Sequence, residues 1–186
     1  MYLDLIIFAI ALAAASGFPG AALPRTSQAG ERIAAALMAA SSLAGLAGVI
    51  GFFSCGAERK AFFPWPAAGD GLVGLDALSA FFLVPVLVMG ALGPIYGLGY
   101  WPQRRRPGNG RRLRLFWGLM AAGMALLIVA RHALTFLLGW EFMALSAFFL
   151  VATEDQRAES RSAGWIYLFA THVGTLTLFA LFALWK

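Results

Sequence analysis

The stretch that decides the fold is Arg131–Thr153, RHALTFLLGWEFMALSAFFLVAT, an apolar run interrupted by one carboxylate, Glu141. Read as a helix at about 1.5 Å per residue, residues 133–152 cover the roughly 30 Å of bilayer hydrocarbon. Glu141 then falls close to the membrane midplane. A charged side chain at that depth costs about 2.5–3.5 kcal/mol on insertion scales, which marks an embedded carboxylate as functional by default. The remainder of that helix face, with Leu134, Leu138, Ala144, Leu145 and Phe148, is dry, so this helix alone lines no wide aqueous pore.

The surrounding composition agrees. Of 186 residues, 61% are hydrophobic and 12% charged, against about 25% charged in soluble domains, so the chain reads as all-α, a polytopic membrane helix bundle. The net charge of +5 is explained by six arginines between Trp101 and Leu115, a clustering that fits a cytoplasmic loop and no nucleic-acid surface. A single cysteine, Cys55, excludes an internal disulfide, a four-thiolate iron–sulfur cluster and a cysteine-rich zinc site. Nucleotide-binding, zinc-protease and serine-hydrolase motifs are absent, so the expectation is that this chain binds no cofactor or metal.

Working outward, Leu113–Thr153 is twice the length a membrane needs, and Arg131-His132 divides it into spans at 113–130 and 133–152. His132 is expected in the turn. Pairing it with His172 around a haem is disfavoured, because the two lie at different depths. Downstream, the mixed-charge loop ATEDQRAESRSAG leads to a span at 163–185, with Thr171-His172-Val173-Gly174-Thr175 near its centre. Upstream, a span at 74–100 begins beside Asp76, which suits a helix N-terminus, and Pro85 and Pro94 allow kinks. Ser41/Gly45, Ala44/Gly48 and Ala47/Gly51 give a span at 33–55 small-residue pairs for close packing. The loop 56–71 places Trp65 at the interface. The first span, 3–23, ends near Pro19 and Pro24; its leading segment carries Asp4 and no Lys or Arg, which favours a retained helix over a cleaved signal peptide.

Six spans put both termini on one side. The basic loop 101–114 assigns that side as the outer face of the inner (plasma) membrane, with the loop itself cytoplasmic. The loop after the fifth span is then cytoplasmic too, despite its slight negative charge.

Glu141 and His172 are the titratable groups near the midplane, on successive helices. Desolvation disfavours the charged forms of carboxyl and imidazole groups alike, which suits them to proton exchange, and membrane relays are built from such groups. The structural alternative is a Glu–His hydrogen bond that only ties two helices together.

The segments GLDALSAFFLVPVLVMGALGPIYGLGYW, FLLGWEFMALSAFFLV and ESRSAGWIYLFATHVGT carry a resemblance. From about Leu72 to the end the chain resembles the proton-conducting antiporter-like membrane subunits of complex I and Mrp antiporters. It is most similar to their hydrogenase branch, that of hydrogenase-4 component B and formate hydrogenlyase subunit 3. The resemblance implies that Glu141 is the fifth-helix glutamate coupled to proton (or sodium) movement and that Asp76 matches a recurrent acidic position. Thr171 and Thr175, one helical turn apart around His172, are expected to support the site. It also implies partners: other membrane and hydrophilic subunits of a redox complex, in a lipid bilayer. One departure stands against these matches. Family members pair that glutamate with embedded lysines on later helices, whereas here the lysines are Lys60 and Lys186, neither of them mid-membrane. The expectation is therefore an N-terminal portion of such a subunit, completed elsewhere. A self-contained proton-coupled exporter and a non-transporting anchor or assembly protein are the alternatives.

Overall fold

In the computed structural model, which describes residues 1–25, 27–55, 58–65 and 69–185, every long apolar segment is helical. Among the described residues, six segments are long and apolar enough to cross a membrane: Tyr2–Ala22, Ala29–Ser54, Ala77–Tyr100, Gly110–Val129, Ala133–Glu154 and Ala158–Leu184. The chain is a multi-pass membrane protein. The interfacial placement expected of Trp65 and the position of Lys186 lie outside the described side chains.

The first span is two helices, α1 (Tyr2–Ala15) and α2 (Phe18–Ala22). Pro19 has no N–H to give the carbonyl of Ala15, so the helix breaks there. Ser16 turns inward at the break, and its hydroxyl donates to Ala13 O at 2.7 Å. The second span, α3 (Ala29–Cys55), starts four residues before the expected 33. It receives α1 along its small residues: Ser41 donates to Ala9 O at 2.7 Å, and a Cβ on Gly48 would meet Tyr2 O at 2.8 Å.

The segment expected as a loop over 56–71 carries strands instead. Strands β1 (Arg59–Trp65) and β2 (Gly69–Leu75) pair antiparallel there, Arg59 opposite Leu75 and Trp65 opposite Gly69. Pro64 and three glycines in β2 hide the strand signal in the sequence. The hairpin is held from outside: Arg131 N donates to Leu72 O at 2.9 Å, and Val73 bridges to Ala130. Val73 and Leu75 are buried.

Helix α4 (Ala77–Tyr100) consequently begins at 77 rather than 74, capped by Asp76, whose carboxylate accepts from Ser79 N at 2.7 Å. Pro94 removes the N–H that would bond Gly90 O, and the Trp117 indole N–H of the next span donates to that carbonyl at 3.2 Å. Helices α5 (Gly110–Val129) and α6 (Ala133–Val151) follow, with His132 at the α6 N-cap in the tight turn between them. They cross backbone to backbone. A Cβ on Gly123 would meet Met143 N at 2.7 Å, and one on Gly139 would meet Leu127 N at 2.9 Å. The last helix, α7 (Ala158–Leu184), starts earlier than the expected 163.

The core lies among α1, α3, α4, α5 and the base of the hairpin, around Ile6, Leu75, Leu83 and Val129. Helix α7 lies outside it. It leans on α6 and leaves Trp165, Ile166, Phe169, Val173 and Leu176 exposed.

Charge separates the two ends. Ten of the fourteen Lys and Arg residues and four of the nine acids occupy the end that holds the 101–109 connection. There Arg106 pairs with Glu154 at 2.7 Å and Arg112 with Asp155 at 2.9 Å, so the negative loop after α6 docks on the positive loop before α5. Glu31, buried at the start of α3, pairs with Arg114 at 2.7 Å and accepts from Gln103 N at 2.7 Å.

Candidate functional site

Glu141 projects from the flank of α6 that meets α7. The α6 face with Thr135, Leu137, Gly139, Ala144 and Ser146 is buried, which leaves Glu141 half-buried at the α6–α7 seam. Aromatic rings set the spacing of that seam. Phe136 lies 5.7 Å from Phe182 of α7, edge to face, and Phe148 lies 6.2 Å from Trp165. Between these contacts the Thr175 hydroxyl of α7 donates to Glu141 Oε1 at 2.7 Å. Thr175 Oγ1 itself accepts from Trp140 Nε1 at 3.0 Å and sits 3.1 Å from Thr171 O.

This arrangement has a definite chemical capability. Thr175 has one hydroxyl proton and two acceptors in reach, the carboxylate of Glu141 and the carbonyl of Thr171. Facing a charged Glu141, the hydroxyl donates to it. Facing a protonated one, it can turn to Thr171 O and accept from the carboxyl, while Trp140 keeps donating throughout. The partners of Glu141 thus fit both protonation states without a backbone movement.

The remaining expected residues separate. Thr171 joins the site through its carbonyl, and its own hydroxyl is spent on Tyr167 and Leu168 carbonyls at 3.0 Å. His172 is exposed on the outer face of α7. Its Nδ1 lies 2.9 Å from Leu168 O, and since a carbonyl only accepts, that nitrogen carries a proton. The Glu–His hydrogen bond allowed by the sequence is not made; Thr175 takes that place.

Asp76 belongs to the hairpin end. It pairs with Arg131 at 2.8 Å, whose guanidinium also donates to Ser79 Oγ at 2.7 Å and to the carbonyls of Ile128 and Ala130. The Ser79 backbone N–H, more than any other partner, holds the Asp76 carboxyl below the usual carboxylate range. Partial burial opposes this, and the Ser79 hydroxyl and Arg131 reinforce it. Asp76 and Arg131 clamp the turn between α5 and α6, about half a span from Glu141.

Sequence reading missed two participants. Trp140 was visible as the neighbour of Glu141, and the need of a buried indole N–H for an acceptor would have pointed to a hydroxyl nearby. The buried Glu31–Arg114 pair joins residues 83 positions apart, and no local pattern announces it.

Fold and site together define a multi-pass helical membrane protein with an ionisable group held at an internal helix seam. Residues 130–186, which contain that seam, match the family described as "NADH:quinone oxidoreductase/Mrp antiporter, TM". The chain is 31% identical over 162 residues to hydrogenase-4 component B of Escherichia coli K12, covering 83% of this chain and 23% of that protein. It is 34% identical over 132 residues to an uncharacterized protein of Mycobacterium tuberculosis, covering 70% of this chain and 20% of the relative. The chain belongs to the antiporter-like membrane subunit family. It spans less than a quarter of the length of these relatives.

Proposed function

We propose that this chain is part of the proton-translocating membrane arm of a multi-subunit redox complex of hydrogenase-4 or formate hydrogenlyase type, and that Glu141 carries the exchangeable proton. The observation that carries the proposal is the setting of Glu141. It lies mid-span and half-buried, bonded to a neutral hydroxyl that can reverse its role, with no fixed cation holding it charged among the described residues. The family match over 130–186 and the likeness to hydrogenase-4 component B support the assignment to such a complex. The arginine-rich end faces the cytoplasm by the positive-inside rule, which puts the N-terminus and the hairpin outside.

The same hydrogen bond favours one rival reading, in which Glu141 only ties α6 to α7. Glu141→Gln in the intact assembly separates the two. The amide keeps the size and still accepts from Thr175, so assembly is expected to survive under either reading. If Glu141 carries the proton, translocation measured with a pH-sensitive dye in sealed vesicles falls at least tenfold, while electron transfer falls less. Wild-type translocation by the assembled variant would establish the tie and remove the relay.

A further inference from the structure

A second site, unrelated to Glu141, lies at the arginine-rich end. A cavity of about 370 Å³ opens among α3, α4, α5, α6 and the first turn of α7, within the roughly 300–1,000 Å³ of ligand pockets. Its walls are apolar, with Met38, Leu113, Trp117 and Leu150 among them. Tyr96 and Tyr100 line it as well, stacked on each other at 5.2 Å and about two-thirds exposed, so it opens at the surface of α4. Pro94 and the absent side chains of Gly93 and Gly97 contribute to its shape.

Charge at the cavity is uneven. Arg114 reaches the wall, but the buried carboxylate of Glu31 neutralises it. At the rim the count differs: Glu154 is shared by two guanidiniums, Arg106 at 2.7 Å and Arg157 at 3.1 Å, which leaves one positive charge in surplus. The Arg106 guanidinium carbon lies over Trp101, itself a lining residue, 4.2 Å from the ring centroid. An apolar slot thus meets a surplus cation held at the depth where span ends meet headgroups.

We infer that this cavity binds one anionic phospholipid, with an acyl chain between α4 and α5 and its phosphate at the Arg106–Glu154–Arg157 cluster. A neutral lipid would fill the slot without compensating the surplus charge. A free phosphate would take the charge and leave the slot empty.

The intact assembly is reconstituted with phosphatidylglycerol or phosphatidylcholine bearing a diazirine on one acyl chain, and crosslinked residues are mapped by mass spectrometry. Phosphatidylglycerol is expected to label Met38, Leu113 or Leu150 at least fivefold more than phosphatidylcholine at equal density. Phe169, on the exposed face of α7, should be labelled equally by both. Gly97→Leu is expected to abolish the cavity labelling and spare Phe169. A Cβ at Gly97 meets nothing within 4 Å, so the larger side chain enters the slot without a backbone clash. Combining Arg106→Gln with Arg157→Gln should bring phosphatidylglycerol down to the phosphatidylcholine level, with the cavity still open. Equal labelling by the two lipids, absence of labelling inside the cavity, or displacement by millimolar inorganic phosphate would each overturn the inference.

Discussion

Two carboxylates in this molecule sit in opposite circumstances. Glu31 is buried at the arginine-rich end, 2.7 Å from the Arg114 guanidinium, with Gln103 N–H completing its shell. Glu141 lies in the α6–α7 seam and, among the described residues, its side chain meets a hydroxyl, itself held by an indole. A carboxylate locked to a permanent cation is committed to its charge and serves as a fastener. One that meets only neutral, reversible partners is suited to gaining and losing a proton. The difference lies in the partners, since both are glutamates on helices of one bundle.

The comparison breaks most visibly at Glu31. Glu31→Ala strands Arg114 in a buried position, and removing one partner of a buried pair costs about 3–5 kcal/mol. Thermal unfolding in detergent should show a large loss, whereas Glu31→Met with Arg114→Met should recover most of it, because two apolar groups replace the pair. A double variant as unstable as the single one would show that the charge itself is required.

Gly139→Ala tests whether the seam depends on the α5–α6 crossing. The new methyl meets Leu127 N at 2.9 Å and Gly123 O at 3.1 Å, backbone atoms that cannot swing aside. A loss of about 1–3 kcal/mol is expected, with displacement of α6 two residues from Glu141. Gly97→Ala is the matched control and should be neutral or stabilising by about 0.5–1 kcal/mol.

Asp76 sharpens the comparison through pH. Its folded-state affinity for protons is depressed, so its contribution is fully present above the ordinary carboxylate range and disappears as pH falls through the lowered value. Wild type and Asp76→Asn should therefore differ by a constant amount between pH 5 and 8, and the gap should close only in more acidic buffer. A gap that changes between pH 5 and 8 would point to another titrating group.

Thr175→Val is expected to cost about 0.6–1.7 kcal/mol, the range of interhelical hydrogen bonds in membranes, yet to change the pH profile of proton translocation more than its size suggests. His172→Ala, exposed and bonded to its own helix, should stay within about 0.5 kcal/mol of wild type and translocate nearly as well. Equal translocation defects in the two variants would remove the special place given to Thr175.

The six spans were legible because lipid demands long apolar helices and admits few charges, and the same rule exposed Glu141. The helix start at Asp76 and the turn at His132 were legible because caps and dividing charges are local features. What escaped was set by distant residues. The 59–75 hairpin owes its place to Arg131 and Ala130, beyond its own glycine-rich sequence. The seam partner of Glu141 depended on the rotation of α7: Thr175 and His172 are three residues apart, and periodicity alone could not say which would face α6.

The carbonyl that Pro94 leaves free in α4 has a consequence of its own. That carbonyl, on Gly90, is satisfied by Trp117, one helix away, so this point of α4 is a joint whose pin is mounted on its neighbour. Swivelling α4 against α5 would pull that pin, while α4 and α5 can tilt together at no such cost. Motion at this end of the molecule is therefore transmitted as a pair: whatever leans on α5 also steers α4.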